Sequence, residues 1–262
     1  MAAPEILYLV INLPRAEARR TAIFRQAEAL GITNLHVVPA VAGHDLPADL
    51  SSCGYDAAKR RKAFSKDLLP NEIACAMSHR KALQTFLESA ADYAVILEDD
   101  AIFAPHFNEG IRELVEHLQG WQVAKLYTAE GKLYPITTLC ADAPVQPVFP
   151  KKLPWVAVGY LYTRAAAQHL HRRMQQFWLP ADAQIGKYLL DDAIPTIGIA
   201  PGLILSGDPN NEQSTLDTTG ERRQSAPKRT LMQYLTYRAG VLRMAFGKKR
   251  MRSLMQKRLS RR

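Results

Sequence analysis

The sequence predicts an α/β fold in which a mixed, mainly parallel central sheet is flanked by helices. Aliphatic runs typical of buried strands, such as residues 6–11 and 93–97, alternate with segments whose apolar residues recur at helical spacing. The 262 residues, 47% of them hydrophobic, suffice for one domain with a substantial core. We expect that domain in residues 1–227 and a basic tail in residues 228–262.

The amino-terminal segment predicts a strand, a helix and a second strand. Residues 6–11 form the first strand, and the helical pattern of residues 14–30 ends before Gly31. Residues 35–41 form the next strand. This succession is typical of the start of a nucleotide-binding α/β domain, although the chain carries no glycine-rich fingerprint.

The central segment predicts a helix that leads to a buried strand. Residues 43–69 show little periodicity, and we expect them to be irregular. Asn71 is placed to cap a helix whose apolar stripe runs over residues 73–87. The apolar run 93–97 then predicts a strand buried on both faces.

The second half of the chain alternates in the same way. Residues 128–154 hold five prolines and predict an excursion over the surface. The remaining pattern predicts, in order, a helix at 105–119, a strand at 121–127, a strand at 155–162, a helix at 163–177, a short helix after Leu179, and an edge strand or buried loop at 194–205.

The strand at 93–97 ends in three consecutive acids, Glu98, Asp99 and Asp100. In open α/β sheets, ligands bind at the carboxyl ends of the strands. Adjacent carboxylates repel one another unless a cation lies among them, and hard oxygen ligands suit Mg²⁺ or Mn²⁺. The sequence therefore predicts a divalent cation site at this edge.

Basic residues near the start of the first helix oppose its dipole, which costs a little stability. A phosphate-bearing ligand at the turn between strand and helix would account for Arg15 and Arg19, because guanidinium groups and free backbone N–H groups both favour phosphate. For Arg20 we expect simple solvation.

The net charge of +9 is unevenly distributed. Residues 228–262 hold 12 Lys or Arg and no acid, which leaves 22 basic and 25 acidic residues in the body. Cys53, Cys75 and Cys140 are widely spaced and odd in number, so the sequence indicates neither a disulfide framework nor a zinc cluster. We expect a cytoplasmic protein in a reducing compartment, without a membrane span.

The basic tail also has apolar residues near helical spacing, namely Leu231, Leu235, Leu242, Ala245, Phe246, Leu254, Met255 and Leu259. This pattern is typical of an amphipathic helix on an anionic membrane surface. The alternative is a disordered, solvated tail.

Four segments resemble glycosyltransferase family 25, the bacterial lipopolysaccharide and lipooligosaccharide sugar transferases related to collagen galactosyltransferases. They are the Asn-Leu and paired Arg of residues 10–20, the Glu-x-x-Cys-x-x-Ser-His of residues 72–79, the acidic motif of residues 96–101, and residues 155–167 with Pro180-Ala181-Asp182 behind them. One departure is Trp155-Val156-Ala157, where members commonly carry Trp-Gly-Thr.

The resemblance implies a GT-A-like domain and a metal-dependent, inverting transfer from a UDP-sugar, with galactose as the donor sugar. The implied cofactor is Mn²⁺ or Mg²⁺. The implied acceptor is a lipid-linked lipooligosaccharide or lipopolysaccharide, and the enzyme would be peripheral on the inner face of the bacterial inner membrane. We expect no nucleic-acid partner.

The resemblance also assigns site residues. Asp100 would be a direct metal ligand, Glu98 a second ligand or a ribose contact, and Asp99 would bind the metal through water or the donor sugar. Residues on the donor side are Asn12, Arg15, Arg19, Glu72, Ser78, His79, Glu98 and Asp99. Asp182 would be the catalytic base that accepts the proton of the acceptor hydroxyl, and Asp191 or Asp192 would be the fallback.

Two other functions are compatible with parts of the sequence. An Asp-Asp strand end also suits a metal-dependent phosphoryl-transfer or hydrolytic enzyme, although that chemistry ordinarily needs more His and Asp ligands than we locate. The pI near 9.5 would suit a basic nucleic-acid-binding protein, but the body is net acidic and contains no recognised nucleic-acid motif.

Overall fold

The computed structural model of the chain describes residues 3–128, 133–139, 142–150, 156–205 and 231–259. The predicted α/β class is confirmed, and the architecture is consistent with a GT-A-like domain. The strands are β1 (Ile6–Asn12), β2 (Leu35–Pro39), β3 (Tyr93–Glu98), β4 (Ile102–Phe103), β5 (Val123–Lys125), β6 (Leu133–Pro135), β7 (Gln146–Pro150), β8 (Gly159–Thr163), β9 (Thr196–Ala200) and β10 (Ile204–Leu205).

Seven helices accompany these strands in the described chain. They are α1 (Glu17–Ala29), α2 (Ala57–Phe64), α3 (Pro70–Glu88), α4 (Phe107–His117), α5 (Arg164–Arg173), α6 (Ala181–Asp191) and α7 (Leu231–Leu259). Short 3₁₀ turns lie at Gly43–Asp45 and Leu50–Cys53.

The central sheet has eight strands in the order β2-β1-β3-β8-β5-β9-β7-β6. The pairs β1–β2, β1–β3 and β5–β9 are parallel, and the other four pairs are antiparallel. Six of the eight strands consequently point the same way, although neighbouring strands are more often antiparallel. Separately, β4 and β10 pair in a two-stranded sheet.

Two apolar cores lie on opposite faces of the central sheet, because successive side chains of a strand point to opposite sides. In β3, Val95 and Leu97 belong to the first core, with residues of α1, α4 and α7. Ala94 and Ile96 belong to the second core, with residues of α3, α5 and α6. Strand β3 is therefore buried on both faces, as its apolar run predicts.

The prediction that residues 43–69 are irregular is wrong, because they include helix α2. Asp56 caps this helix by accepting a hydrogen bond from the Lys59 backbone N–H (2.8 Å), and Ser65 ends it at a positive φ of 60°. The only buried residue of α2 is Arg60, so the helix has no apolar stripe that periodicity could reveal.

Helix α3 starts two residues earlier than predicted, and Asn71 is not its cap. Pro70 is the first residue, where its missing N–H costs nothing. Glu72 stabilises the start by accepting a hydrogen bond from the Leu69 backbone N–H (3.0 Å).

The second half differs from the prediction at the sheet edge. Part of the predicted surface excursion forms β6 and β7, which extend the sheet beyond β9. As a result β9, which we predicted as an edge strand or buried loop, has neighbours on both sides. Strand β8 starts at Gly159, and Trp155 of the predicted 155–162 strand lies outside the described residues.

The carboxyl-terminal segment is helical, but its last apolar residues do not face outward. Met251, Met255 and Leu259 are at most 4% exposed and belong to the first core. Phe246, in contrast, is 72% exposed. The expectation that Met255 and Leu259 contact a membrane is thus wrong, since both are covered by the body.

The boundary that we predicted at residues 227 and 228 lies outside the described part of the chain. Among the described residues, no helix has both the length and the apolarity that a bilayer crossing requires.

Candidate functional site

The candidate site is built on the parallel pair β1–β3, whose carboxyl ends lie side by side. Ile11 is the partner of Glu98 in this register, so Asn12 comes next to the turn at Asp99 and Asp100. Asn12 is only 1% exposed, and its side-chain N–H groups donate to Asp99 Oδ2 (2.7 Å) and to the Ala16 carbonyl (3.1 Å). The strand pairing therefore brings together residues 87 positions apart.

Two of the three arginines at the start of α1 contact the pair formed by Asn12 and Asp99. Arg19 donates to Asp99 Oδ1 (3.3 Å). Arg20, which we expected to be merely solvated, is partly buried and lies 3.4 Å from Asn12 Oδ1. Arg15 is exposed on the turn between β1 and α1, away from these contacts. The acid Asp99 is consequently held by an amide and a guanidinium on the α1 side.

Glu98 points the opposite way, toward helix α3. His79 Nε2 lies 3.0 Å from Glu98 Oε1, and Cys75 Sγ lies 3.9 Å from the same oxygen. Cys75 and His79 are four residues apart on α3, so both side chains lie on one face of the helix. His79 is 2% exposed and the Glu98 side chain is 29% exposed, so the contact is enclosed on the α3 side and open on the side of Glu98.

Glu72 and Ser78, the other predicted donor-side residues on α3, have local contacts. Glu72 caps the start of the helix as described above. Ser78 Oγ donates to the Ala74 carbonyl (2.8 Å) and accepts from the Val41 backbone N–H (2.9 Å). These bonds fix α3 and the segment after β2, and so hold the helix that carries Cys75 and His79.

Asp100 has the greatest exposure of the three acids. Desolvation by the protein atoms around its carboxyl, and then the negative charges of Glu98 and Asp99, raise the pKa of Asp100 to about 6, while Arg19 opposes the shift. The group reaches solvent on one side and is crowded by protein and like charge on the others. A cation bound there would relieve that repulsion.

Asp182 lies in the first turn of α6, where Asp182 Oδ1 accepts from the Ala183 backbone N–H (2.6 Å). Burial raises its pKa; Glu98 adds to the shift, while this hydrogen bond and the charges of Lys125 and His79 oppose it. The structure thus brings Asp182 into electrostatic range of the acidic edge, by which we mean Glu98, Asp99 and Asp100.

The fallback residues Asp191 and Asp192 lie at the other end of α6, about 15 Å away along the helix axis. Asp191 pairs with Lys187. Asp192 accepts from His169 Nε2 and Arg173 Nε (2.8 Å each). Burial would raise the pKa of Asp192, but these two partners lower it below its ordinary value. Both acids are occupied away from the acidic edge.

Sequence reasoning missed two buried polar residues beside Asp182. Lys125 is 3% exposed on β5, and Tyr160 faces it on β8 with Lys125 Nζ 5.1 Å from the ring centroid. The Tyr160 hydroxyl is fully buried and has no hydrogen-bond partner among the described residues. A lysine inside the apolar run 123–126 was the signal that could have revealed this cluster.

The arrangement offers oxygen ligands for a divalent cation, guanidinium groups for phosphate, and a carboxylate of raised pKa as a base. A model of glycosyltransferase family 25, described as LPS biosynthesis protein, matches residues 6–185, which is more than half of the chain and includes every residue of the site. A comparison with curated proteins finds no match.

We expect the charge on Lys125 to be visible in the pH dependence of stability. Burial lowers the pKa of Lys125 to about 8, against the opposing effect of Asp182, so between pH 8 and 10.5 the unfolded chain binds the extra proton. The free energy of unfolding therefore rises with pH in this window, by up to about 3 kcal/mol from this group.

Lys125→Met removes that contribution. The free energy of unfolding should be measured with urea at a series of pH values. The value for the variant should exceed that of the wild type most strongly below pH 8, and the difference should disappear by pH 10.5. Lys257→Met, at an exposed position of α7, is the matched control and should follow the wild-type curve. Parallel curves for Lys125→Met and the wild type would contradict the assignment.

Proposed function

The chain belongs to glycosyltransferase family 25, and on that premise we propose that it transfers a sugar, galactose, from a UDP-sugar to a lipooligosaccharide or lipopolysaccharide acceptor, with inversion and with Mn²⁺ or Mg²⁺ as cofactor. The observation that carries this proposal is the division of the acidic edge. Asp99 is held by Asn12 and Arg19, Glu98 by His79, and Asp100 is left exposed with a raised pKa.

The cation would bind at Asp100. A sugar leaves a nucleoside diphosphate readily only when the charge that develops on the β-phosphate is neutralised, and a divalent cation supplies this neutralisation. Glu98 is engaged by His79, so it would contribute negative charge beside the ion, or would join it as a second ligand after giving up that contact.

The nucleotide would lie on the α1 side of the edge. Arg15 is exposed at the turn before α1, and Arg19 and Asn12 are within reach of Asp99. Their guanidinium and amide groups suit a diphosphate and a ribose. Glu72, Ser78 and His79 would support this pocket by fixing α3 and Glu98, without moving a proton.

The acceptor hydroxyl would be deprotonated by Asp182. A general base works best when its pKa approaches the working pH, and burial raises the pKa of this carboxyl. Asp182 also lies within electrostatic range of Glu98, and this supports a position near the proposed cation.

Asp100→Asn should reduce turnover by at least about 100-fold while the protein stays folded, because the amide removes the negative charge that would hold the ion. UDP release should be measured with Mn²⁺ and UDP-galactose, UDP-glucose or UDP-N-acetylglucosamine, with and without a lipooligosaccharide acceptor. Glu116→Gln, on the exposed face of α4, is the control. Near-normal turnover of Asp100→Asn at saturating donor would end the metal assignment, and UDP release that is independent of acceptor would favour a hydrolase.

Asp182→Asn should lower kcat by about 10² to 10⁴ while leaving donor affinity within a few-fold of the wild type, because the base acts only on the acceptor. Donor affinity is measured by calorimetry with Mn²⁺ present. Asp192→Asn is matched in chemistry and lies directly after the same helix, and it should keep wild-type kcat. Equal losses in the two variants would exclude Asp182 as the base.

The basic surface of α7 supports a membrane location on the inner face of the bacterial inner membrane. Lys249, Arg250, Lys257 and Arg258 are exposed, and Phe246 projects into solvent nearby. Each basic residue near an anionic surface contributes about 1 kcal/mol before screening by salt. The proposed contact thus rests on charge, with the apolar side of the helix turned to the body.

Replacing Lys249, Arg250, Lys257 and Arg258 together with Gln should abolish sedimentation with vesicles that contain anionic lipid. The control variant replaces four exposed basic residues of other elements with Gln and should bind these vesicles as the wild type does. The four residues are Arg25, Lys81, Arg112 and Arg172. Equal binding of both variants, or binding that is insensitive to salt, would refute the membrane contact.

A further inference from the structure

Cys75, His79 and Glu98 form a cluster of metal-ligating side chains on the α3 side of the acidic edge, and Cys75 has no part in the proposed transfer. The thiol sulfur, an imidazole nitrogen and a carboxylate oxygen all lie within 4.8 Å of one another. We propose that these three side chains are a binding site for a transition-metal cation of the Zn²⁺ class, separate from the ion proposed at Asp100.

The distances fit tetrahedral coordination. With bonds of about 2.0 to 2.3 Å to nitrogen, oxygen and sulfur, two ligands of a tetrahedral zinc ion are about 3.4 Å apart. The His79–Glu98 separation of 3.0 Å and the Cys75–Glu98 separation of 3.9 Å lie on either side of this value. The third pair, Cys75 and His79, lies within 4.8 Å, so side-chain adjustment would have to bring these two atoms to a similar separation.

The chemistry of the ligands selects the ion. Sulfur, imidazole and one carboxylate are the donors that a borderline-soft cation prefers, whereas Mn²⁺ and Mg²⁺ prefer oxygen alone, as Asp100 offers. A thiol 3.9 Å from a carboxylate oxygen makes only a weak hydrogen bond, but as a thiolate it is a strong ligand for zinc. Binding would release the thiol proton.

The site is preformed and accessible. Cys75 and His79 lie one turn apart on α3, whose start is fixed by Glu72 and whose middle is fixed by Ser78. His79 is buried, while Cys75 is partly exposed and the Glu98 side chain is 29% exposed, so an ion can enter from the side of the acidic edge. Three protein ligands leave a fourth position open for water or another small ligand.

Co²⁺ tests this proposal, because a thiolate ligand gives cobalt a near-ultraviolet charge-transfer band and tetrahedral geometry gives strong visible bands. Full-length protein stripped of metal is titrated with Co²⁺ alone. We expect a charge-transfer band that saturates at one ion per chain and disappears when Zn²⁺ is added.

Variants assign the ligands. Cys75→Ser should lose the charge-transfer band, and His79→Gln should weaken Co²⁺ binding at least tenfold. Cys53→Ser and Cys140→Ser are the matched controls and should keep the band. Circular dichroism checks that each variant is folded; if Cys75→Ser is not, the affinity of His79→Gln decides. No band in the wild type, a band that persists in Cys75→Ser, or unchanged affinity in His79→Gln overturns the proposal.

Asp100→Asn separates this site from the proposed catalytic ion. The Co²⁺ band should persist in that variant, because Asp100 is not among the three ligands. A failure of the zinc-class site leaves the sugar transfer untouched, and a failure of the sugar transfer leaves the spectrum untouched. Loss of the band in Asp100→Asn would show a single shared site and overturn the separation.

Discussion

The repulsion among three consecutive carboxylates at the end of a buried strand is the constraint on which the candidate site depends. In the fold this repulsion is reduced because the three acids point in different directions. Asp99 is drawn to Asn12 and Arg19, and Glu98 to His79 on α3. Within the described part of the chain Asp100 has no such partner. Burial, and then the like charges of Glu98 and Asp99, raise the pKa of Asp100 to about 6. The neighbouring elements β1 and α1 thus hold one acid and α3 holds another, which leaves Asp100, the most exposed of the three, as the acid at which we propose the cation.

The two faces of the acidic edge differ in chemistry. On the α1 side, guanidinium and amide groups surround a carboxylate, which suits an anionic ligand together with a hard cation. On the α3 side, a thiol and an imidazole accompany Glu98, which suits a softer ion. Glu98 and Asp100 are electrostatically coupled, so occupancy of either side alters the field at the other. The Asp182 carboxyl group, at the start of α6, is also within electrostatic range of Glu98.

The parts of the structure that depend on local periodicity could be predicted, and those that depend on distant contacts could not. The apolar run of β3 and the acids after it follow directly from sequence. Helix α2 was not predicted because a helix that buries only Arg60 has no apolar stripe. The three cysteines indicated no metal cluster by spacing, yet α3 brings Cys75 next to Glu98, which lies 23 residues away. Lys125 and Tyr160 face each other only because β5 and β8 pair. Sequence periodicity carries no information on that pairing.

The position of α7 has a consequence for how the chain folds. Met251 and Met255 occupy the same core as Tyr8 and Val10, so that core joins segments more than 240 residues apart in sequence. Contacts of such separation form late, because a long loop must be closed before they contribute stability. During synthesis α1 and α4 can cover part of this face, but the part that packs against α7 stays exposed until α7 has been made. A chaperone that shields exposed apolar surface would therefore have its longest period of contact with this side of the nascent protein.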